Sequence, residues 1–253
     1  MAYMTWIQYS MGHVQQAEEY SARVQEFTAK INNRLISARI DWIVSMYYSM
    51  SEDWKRAEKF SRRFLDTANE LNTAMTQGVS SAIYYTSRAM QSENDQYIRQ
   101  FETGLEAYEA SGAQFFTIQT LAHLAQALIK HGHTQEGLEI LRKAMGRVSE
   151  QGERYFEVEV HRLIAIAHLS GTRPDRTATQ SSLLRALDIA ESGTIVSFGL
   201  RAAVRLAELW ISQGQYGETA EMLDRYLRKF PGEKALPKVR EARVLHANLT
   251  NQS

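Results

Sequence analysis

The chain has 253 residues, 44% of them hydrophobic, with 29 basic and 29 acidic side chains and no cysteine. A zero net charge argues against a phosphate-gripping surface, which needs a basic excess, and the missing cysteine excludes disulfides and thiolate metal sites. No run approaches the about 18 apolar residues of a membrane helix, and no basic-then-apolar leader opens the chain, so the expected setting is a reducing cytoplasm without membrane or nucleic-acid partners.

Only Pro174, Pro231 and Pro237 interrupt the backbone, and Ala, Leu, Glu, Gln, Arg and Met fill the segments between turns, a helical composition. One series of turns falls at Gly12, Glu52, Ser92, Gly132, Gly171 and Gly214, in steps of 40, 40, 40, 39 and 43. A second series falls at Asn72, Gly112, Gly152 and Gly193, in steps of 40, 40 and 41. Glycine and asparagine suit the left-handed residue that closes a helix. Two interleaved series with one period predict a two-helix repeat.

In chain order the expected helix pairs are 1–30, 31–72, 73–112, 113–152, 153–194 and 195–232, followed by a closing helix over 235–249. Helical spacing supports them: Val160, Leu163, Ile164 and Ala167 follow i, i+3, i+4, i+7, and Leu206, Leu209 and Trp210 repeat the pattern one unit later. Eight residues before each first-series turn stand Met4, Val44, Tyr84, Leu124, Leu163 and Leu206. Five after stand Ala17, Ala57, Tyr97, Gly137, Arg176 and Thr219; only Arg176 breaks the pattern, in a lengthened segment at 172–177. The expectation is an all-α, tetratricopeptide-like solenoid of about six antiparallel helix pairs plus the closing helix, as one domain over 1–253 with no linker.

The segments GHTQEGLEILRKAM (132–145), SEQGERYFEVEVHRL (149–163), LLRALDIAESG (183–193), LRAAVRLAELWISQGQYGETAEMLDRYL (200–227) and KVREARVL (238–245) carry a resemblance. They resemble the C-terminal tetratricopeptide-like repeat region of bacterial signalling ATPases, some of which begin with a class III adenylate or guanylate cyclase domain and others with a DNA-binding regulator domain. The resemblance is strongest over 113–245. It implies a regulatory helical array. The chain departs from those proteins in lacking a cyclase domain and any G-x-x-x-x-G-K-[ST] phosphate loop.

Candidate chemistry is sparse. His131 and His133 flank Gly132, with His123 upstream, but a metal needs three or four convergent ligands. His161 and His168 share a helix near Glu157 and Glu159; without an H-E-x-x-H arrangement, His161 reads as a polar slot between packed helices. TQSS (179–182) lacks the glycines of a nucleophile elbow. Basic residues from Arg225 to Arg243 alternate with acids and read as a solvated surface. No catalytic, metal or cofactor residue is expected, and no enzyme activity.

The informative feature is a stripe on the first helix of each pair, nine, six and two residues before the turn. The nine-back set is Tyr3, Ile43, Ile83, His123, Arg162 and Arg205; the six-back set includes Trp6, Met46, Thr86, Gln126 and Glu208; the two-back set includes Met50, Met90 and Lys130. In tetratricopeptide solenoids the first helices line the concave face. Two readings follow. Either the stripe is a groove, apolar over its N-terminal half and polar over its C-terminal half, taking a peptide whose acidic end lies over Arg162 and Arg205; or the apolar members pack against their neighbours and the arginines pair with Glu159 and Glu208.

The expected function is a protein–protein interaction module, a scaffold or regulatory array. The alternative is a sensory or regulatory fragment of a split cyclase–ATPase protein, inactive by itself. Tyr3, Trp6 and Ile7 have no preceding repeat to cover them, so self-association through this edge is a further expectation.

Overall fold

The computed structural model describes residues 1–31, 33–72, 74–112, 116–151, 154–171, 173–230 and 237–250. Among them are thirteen α-helices, one 3-10 turn at Arg154–Phe156, and no strand. The helices are α1 Met4–Ser10, α2 Val14–Lys30, α3 Arg34–Met50, α4 Trp54–Leu71, α5 Ala74–Gln91, α6 Gln96–Ala110, α7 Thr117–Lys130, α8 Thr134–Gln151, α9 Glu157–Ser170, α10 Arg176–Ser192, α11 Val196–Ile211, α12 Tyr216–Leu227 and α13 Pro237–Thr250. Odd and even helices form the tetratricopeptide-like pairs that the forty-residue period predicts, and α13 closes the series. The expected turn at Gly152, the residue Pro231 and the expected unit ends near 73, 113, 153 and 232–235 lie outside the described residues.

Local chemistry sets the helix ends. The Asn33, Asp53 and Asp175 side chains accept hydrogen bonds from the amides of Ile36, Arg56 and Ala178 at 3.1, 3.0 and 2.9 Å, each cap contributing about 1 kcal/mol. Gly12, Gly112, Gly132, Gly214 and Asn72 take the left-handed conformation expected of the turn residues, and so does Glu52. Three expected positions differ, Ser92, Gly171 and Gly193, none of which takes a positive φ. Gly171 has φ −69° and Gly193 φ −113°. After Gly193 the left-handed residue is Thr194, at φ 55°. A β-branched residue there shows that tertiary packing, not local preference, fixes that turn.

The chain gathers into two compact units, the first from Met1–Ile7 with residues 16–144, the second from Gln8–Gln15 with residues 145–253. In the first, the eight-back ladder is core: Val44, Tyr84 and Leu124 are buried, with Tyr47, Phe60, Phe64, Phe101, Ile118 and Leu121 around them. In the second, Leu163 and Leu206 hold the same place beside Leu183, Phe198, Leu223 and Tyr226. There Ser197 Oγ donates to the Tyr9 carbonyl at 2.5 Å, and Tyr9 meets the Phe198 ring edge-on at 5.8 Å. The alanines and threonine five residues after the turns, Ala17, Ala57 and Thr219, are fully buried, where a small side chain lets helices approach. No described helix is long and apolar enough to cross a membrane.

Candidate binding site

The stripe on the first helices is largely a packing face. In the first unit, α3 packs on α5 and α5 on α7. Ile43, Met46, Met50, Ile83 and Thr86 are buried between them, and Met90 is half-buried. Thr86 Oγ1 donates to the Ala82 carbonyl at 2.7 Å. His123 is buried with its ring edge-on to Trp54 at 5.8 Å. Gln126 donates to Glu52 at 2.7 Å, and the exposed Lys130 reaches the Ala89 and Ser92 carbonyls and Glu93 at 3.3, 3.1 and 3.2 Å. A 100° step places residues on one face of one helix, but it carries no information about which neighbour covers that face.

In the second unit, α9 packs on α11. Arg162 is 3% exposed, and its Nε donates to Glu159 at 2.9 Å. Arg201 reaches the same carboxylate from α11 at 2.9 Å. Arg205 pairs with Glu208 at 2.8 Å, both half-exposed. The acidic peptide end expected over Arg162 therefore meets a guanidinium already enclosed and paired by its own chain. Trp6, expected at an uncovered edge, is covered too: its Nε1 donates to the Ile43 carbonyl at 2.8 Å and its ring meets Phe116 at 4.8 Å. Tyr3 and Ile7 stay exposed at 37% and 48%.

The histidines hold structure together. His131 places Nδ1 at 2.7 Å from Asp95 Oδ1 and Nε2 at 2.9 Å from the Ala89 carbonyl, and His133 Nε2 lies 3.3 Å from Asp95 Oδ2. These bonds hold the Asp95 carboxyl below its usual range. Burial pushes the His161 imidazole down from its ordinary value, with Glu157 partly opposing. Among the described residues, no group of three His, Cys, Asp or Glu could hold a metal ion.

What the first unit leaves open is an apolar cleft of about 710 Å³. α3 supplies Leu35, Ile36, Arg39 and Trp42; α4 supplies Phe64 and Leu71; α5 supplies Met75, Thr76 and Val79; Tyr3 and Tyr108 also line it. Its lip is unusually exposed for such residues: Leu35 61%, Met75 50%, Ile36 42% and Leu71 38%. Covering these four would contribute on the order of 1 kcal/mol each. An aromatic cluster backs the cleft. Trp42 stacks on Phe64 at 6.2 Å and meets Phe116 edge-on at 5.5 Å. Two polar groups stand out on the α3 wall. Trp42 Nε1 is buried and meets no acceptor among the described residues. Arg39 Nη2 donates to the Tyr3 hydroxyl at 2.8 Å.

A smaller cleft of about 500 Å³ in the second unit, between α10, α11 and α12, carries Asp188, Glu191, Glu218 and Glu221 around Leu184, Trp210 and Met222. Arg185 pairs with Asp188 there and Arg225 with Glu191, so its rim is mostly paired charge, with Leu184 as an exposed apolar residue at 43%.

None of the lip residues was singled out from the sequence except Tyr3. The available signal was modest: Leu35, Ile36, Arg39 and Trp42 follow i, i+1, i+4, i+7 on α3, off the expected stripe, and Leu71 and Met75 leave large apolar groups beside the turn at Asn72.

No family model matches the chain, and no curated protein matches it. Two solved structures are similar over nearly its whole length. The Rap protein complexed with competence and sporulation factor is 15% identical over 98% of this chain and 75% of its own, with a TM-score of 0.67. The human IFIT1 dimer with m7Gppp-AAAA is 14% identical over 99% of this chain and 68% of its own, with a TM-score of 0.42. At such identity the likeness to the Rap protein is one of fold, and the chain is an all-α, tetratricopeptide-like helical repeat.

Proposed function

We propose that this chain is a protein-interaction module, a scaffold or regulatory array, and that it takes a peptide segment of its partner in the cleft between α3, α4 and α5. One observation carries the reading: four large apolar side chains, from three helices, stand exposed around a single concave cleft. Scattered exposed hydrophobics are ordinary, but a contiguous patch marks a contact surface. A solved structure of this fold, the Rap protein complexed with competence and sporulation factor, makes the reading natural. The reading assigns no catalytic step and no cofactor, and it suits a cytoplasmic protein.

The resemblance of 132–145 and 183–227 to the repeat regions of cyclase–ATPase signalling proteins supports a narrower version, in which the array is the regulatory part of such a system. Both versions use the same cleft.

The test is selection of random displayed dodecapeptides on the full chain, with binding of the selected peptides compared between wild type and the Leu35→Asp/Met75→Asp variant. Both positions are exposed, so the variant keeps its core. The reading expects selected peptides to lose about tenfold or more in affinity on the variant, since two lip contacts are replaced by solvated charges. Equal binding to both proteins, or no selected peptide at all, would sink it.

A further inference from the structure

We infer that the segment taken by this cleft is acidic as well as apolar: it carries a carboxylate next to at least two bulky hydrophobic side chains, and Arg39 reads that carboxylate. The inference rests on the cleft reading above and adds the chemistry of the occupant.

Arg34 pairs with Glu70, and Arg63 pairs with Asp41 at 3.1 Å. Arg39 has no acid partner among the described residues; its hydrogen bond goes to the neutral Tyr3 hydroxyl. It is therefore a whole positive charge on the lip of an apolar cleft. A guanidinium presents five donors in a planar fork and accepts nothing. One bond to a phenol leaves most of that fork open.

Trp42 stands one helical turn along α3 from Arg39, and both line the cleft. An indole nitrogen is a donor only. Burying it without an acceptor costs about 1–3 kcal/mol, and Trp6, whose ring also meets Phe116, escapes that cost by donating to the Ile43 carbonyl. A cleft wall whose cation has no acid partner among the described residues is complementary to an anion, while Trp42, its Nε1 without exposed surface, offers the cleft its ring. Of the other lining residues, Leu35, Ile36, Met75 and Val79 accept only apolar groups.

The same geometry favours a peptide over a small amphiphile. A small-molecule site buries some 70–90% of its ligand. Here the lip residues themselves are 38–61% exposed and spread over three helices, an open surface suited to side chains hung from a longer backbone.

The experiment uses a peptide selected on the full chain, resynthesised with each Asp or Glu changed to Asn or Gln and with its C-terminus free or amidated. Affinities are measured on wild type, Arg39→Gln, Trp42→Phe and Tyr3→Phe. Arg39 and Tyr3 are exposed, and phenylalanine keeps an aromatic ring at 42, so each variant retains the helix packing. Wild type should prefer the carboxylate form by about tenfold, the scale of one charge-assisted bidentate contact. The preference should vanish in Arg39→Gln and survive in Trp42→Phe and Tyr3→Phe.

If selected peptides lack acids, or if the preference is the same in Arg39→Gln, the inference falls while the cleft reading stands. If no peptide binds, or Leu35→Asp/Met75→Asp binds unchanged, the cleft reading falls and takes the inference with it. Dodecanoate titrating the cleft where no peptide does would replace the peptide with a small amphiphile and overturn the proposal.

Discussion

Gly78 on α5 faces Gly104 on α6 with no room for a side chain between the two backbones. A Cβ at 78 would lie 2.7 Å from the Tyr108 amide nitrogen, and a Cβ at 104 would lie 3.1 Å from the Ala82 amide nitrogen and 3.2 Å from the Gly78 carbonyl. Backbone cannot step aside as a side-chain tip can. Because Thr76, Val79 and Tyr108 line the cleft, this crossing also sets the position of its α5–α6 wall. Gly78→Ala and Gly104→Ala should each destabilise the fold by about 1–3 kcal/mol, read from urea unfolding, and should weaken peptide capture. Gly146, within α8, has nothing within 4 Å of its Cβ position. Gly146→Ala should therefore stabilise by about 0.5–1 kcal/mol through helix propensity. Equal effects at 104 and 146 would contradict the close crossing.

Asp41 predicts a pH dependence. It is buried on α3, and that burial raises its carboxyl to about 6 from 3.8, with the Arg63 guanidinium partly opposing. The folded state thus holds this proton more tightly than the unfolded chain. The associated stability is fully present below the unfolded value of 3.8 and is lost as pH rises through about 6. After allowance for the half-exposed Arg63, the loss should be about 2 kcal/mol. Asp41→Asn removes the titration, so the wild-type-minus-variant difference in unfolding free energy should change between pH 4 and pH 7. A difference constant across that window would refute the assignment.

Glu159 serves two buried guanidiniums, Arg162 on its own helix and Arg201 on α11. Glu159→Gln takes the shared carboxylate from both and should cost about 3–5 kcal/mol. Arg201→Met leaves Glu159 paired with Arg162 and should cost less. Denaturant midpoints at matched m-values check the order. Charge reversal at Arg162 would unfold the protein rather than report on a partner, which removes it as a probe of binding.

The forty-residue period was legible because helix pairs that stack on copies of themselves must place small or apolar residues at the same register each time. Val44, Leu124, Leu163 and Leu206 appear in the core for that reason. The stripe through Ile43, Met46 and Met50 was equally regular, and single-helix geometry could not separate a free inner wall from a face that the next first helix covers. Of the two readings of that stripe, close packing describes these three residues. The pairs Arg162–Glu159 and Arg205–Glu208, i and i−3 or i+3 on one helix, were visible as spacing; the second claim on Glu159, from Arg201, comes through tertiary packing. The cleft was least visible. Leu35 and Trp42 lie on α3, Phe64 on α4 and Met75 on α5, so no window of the sequence contains it. Likewise, Gly78 and Gly104 are ordinary helix glycines until α5 and α6 cross.

The most direct test of the cleft places a photoreactive methionine analogue at position 75 of the full chain, with the same group at position 146 as the control, and illuminates both with a bound selected peptide. Crosslinking from position 75 and none from position 146 is the expected result. Crosslinking from neither position by a peptide that still binds would put the interaction surface elsewhere and contradict the account.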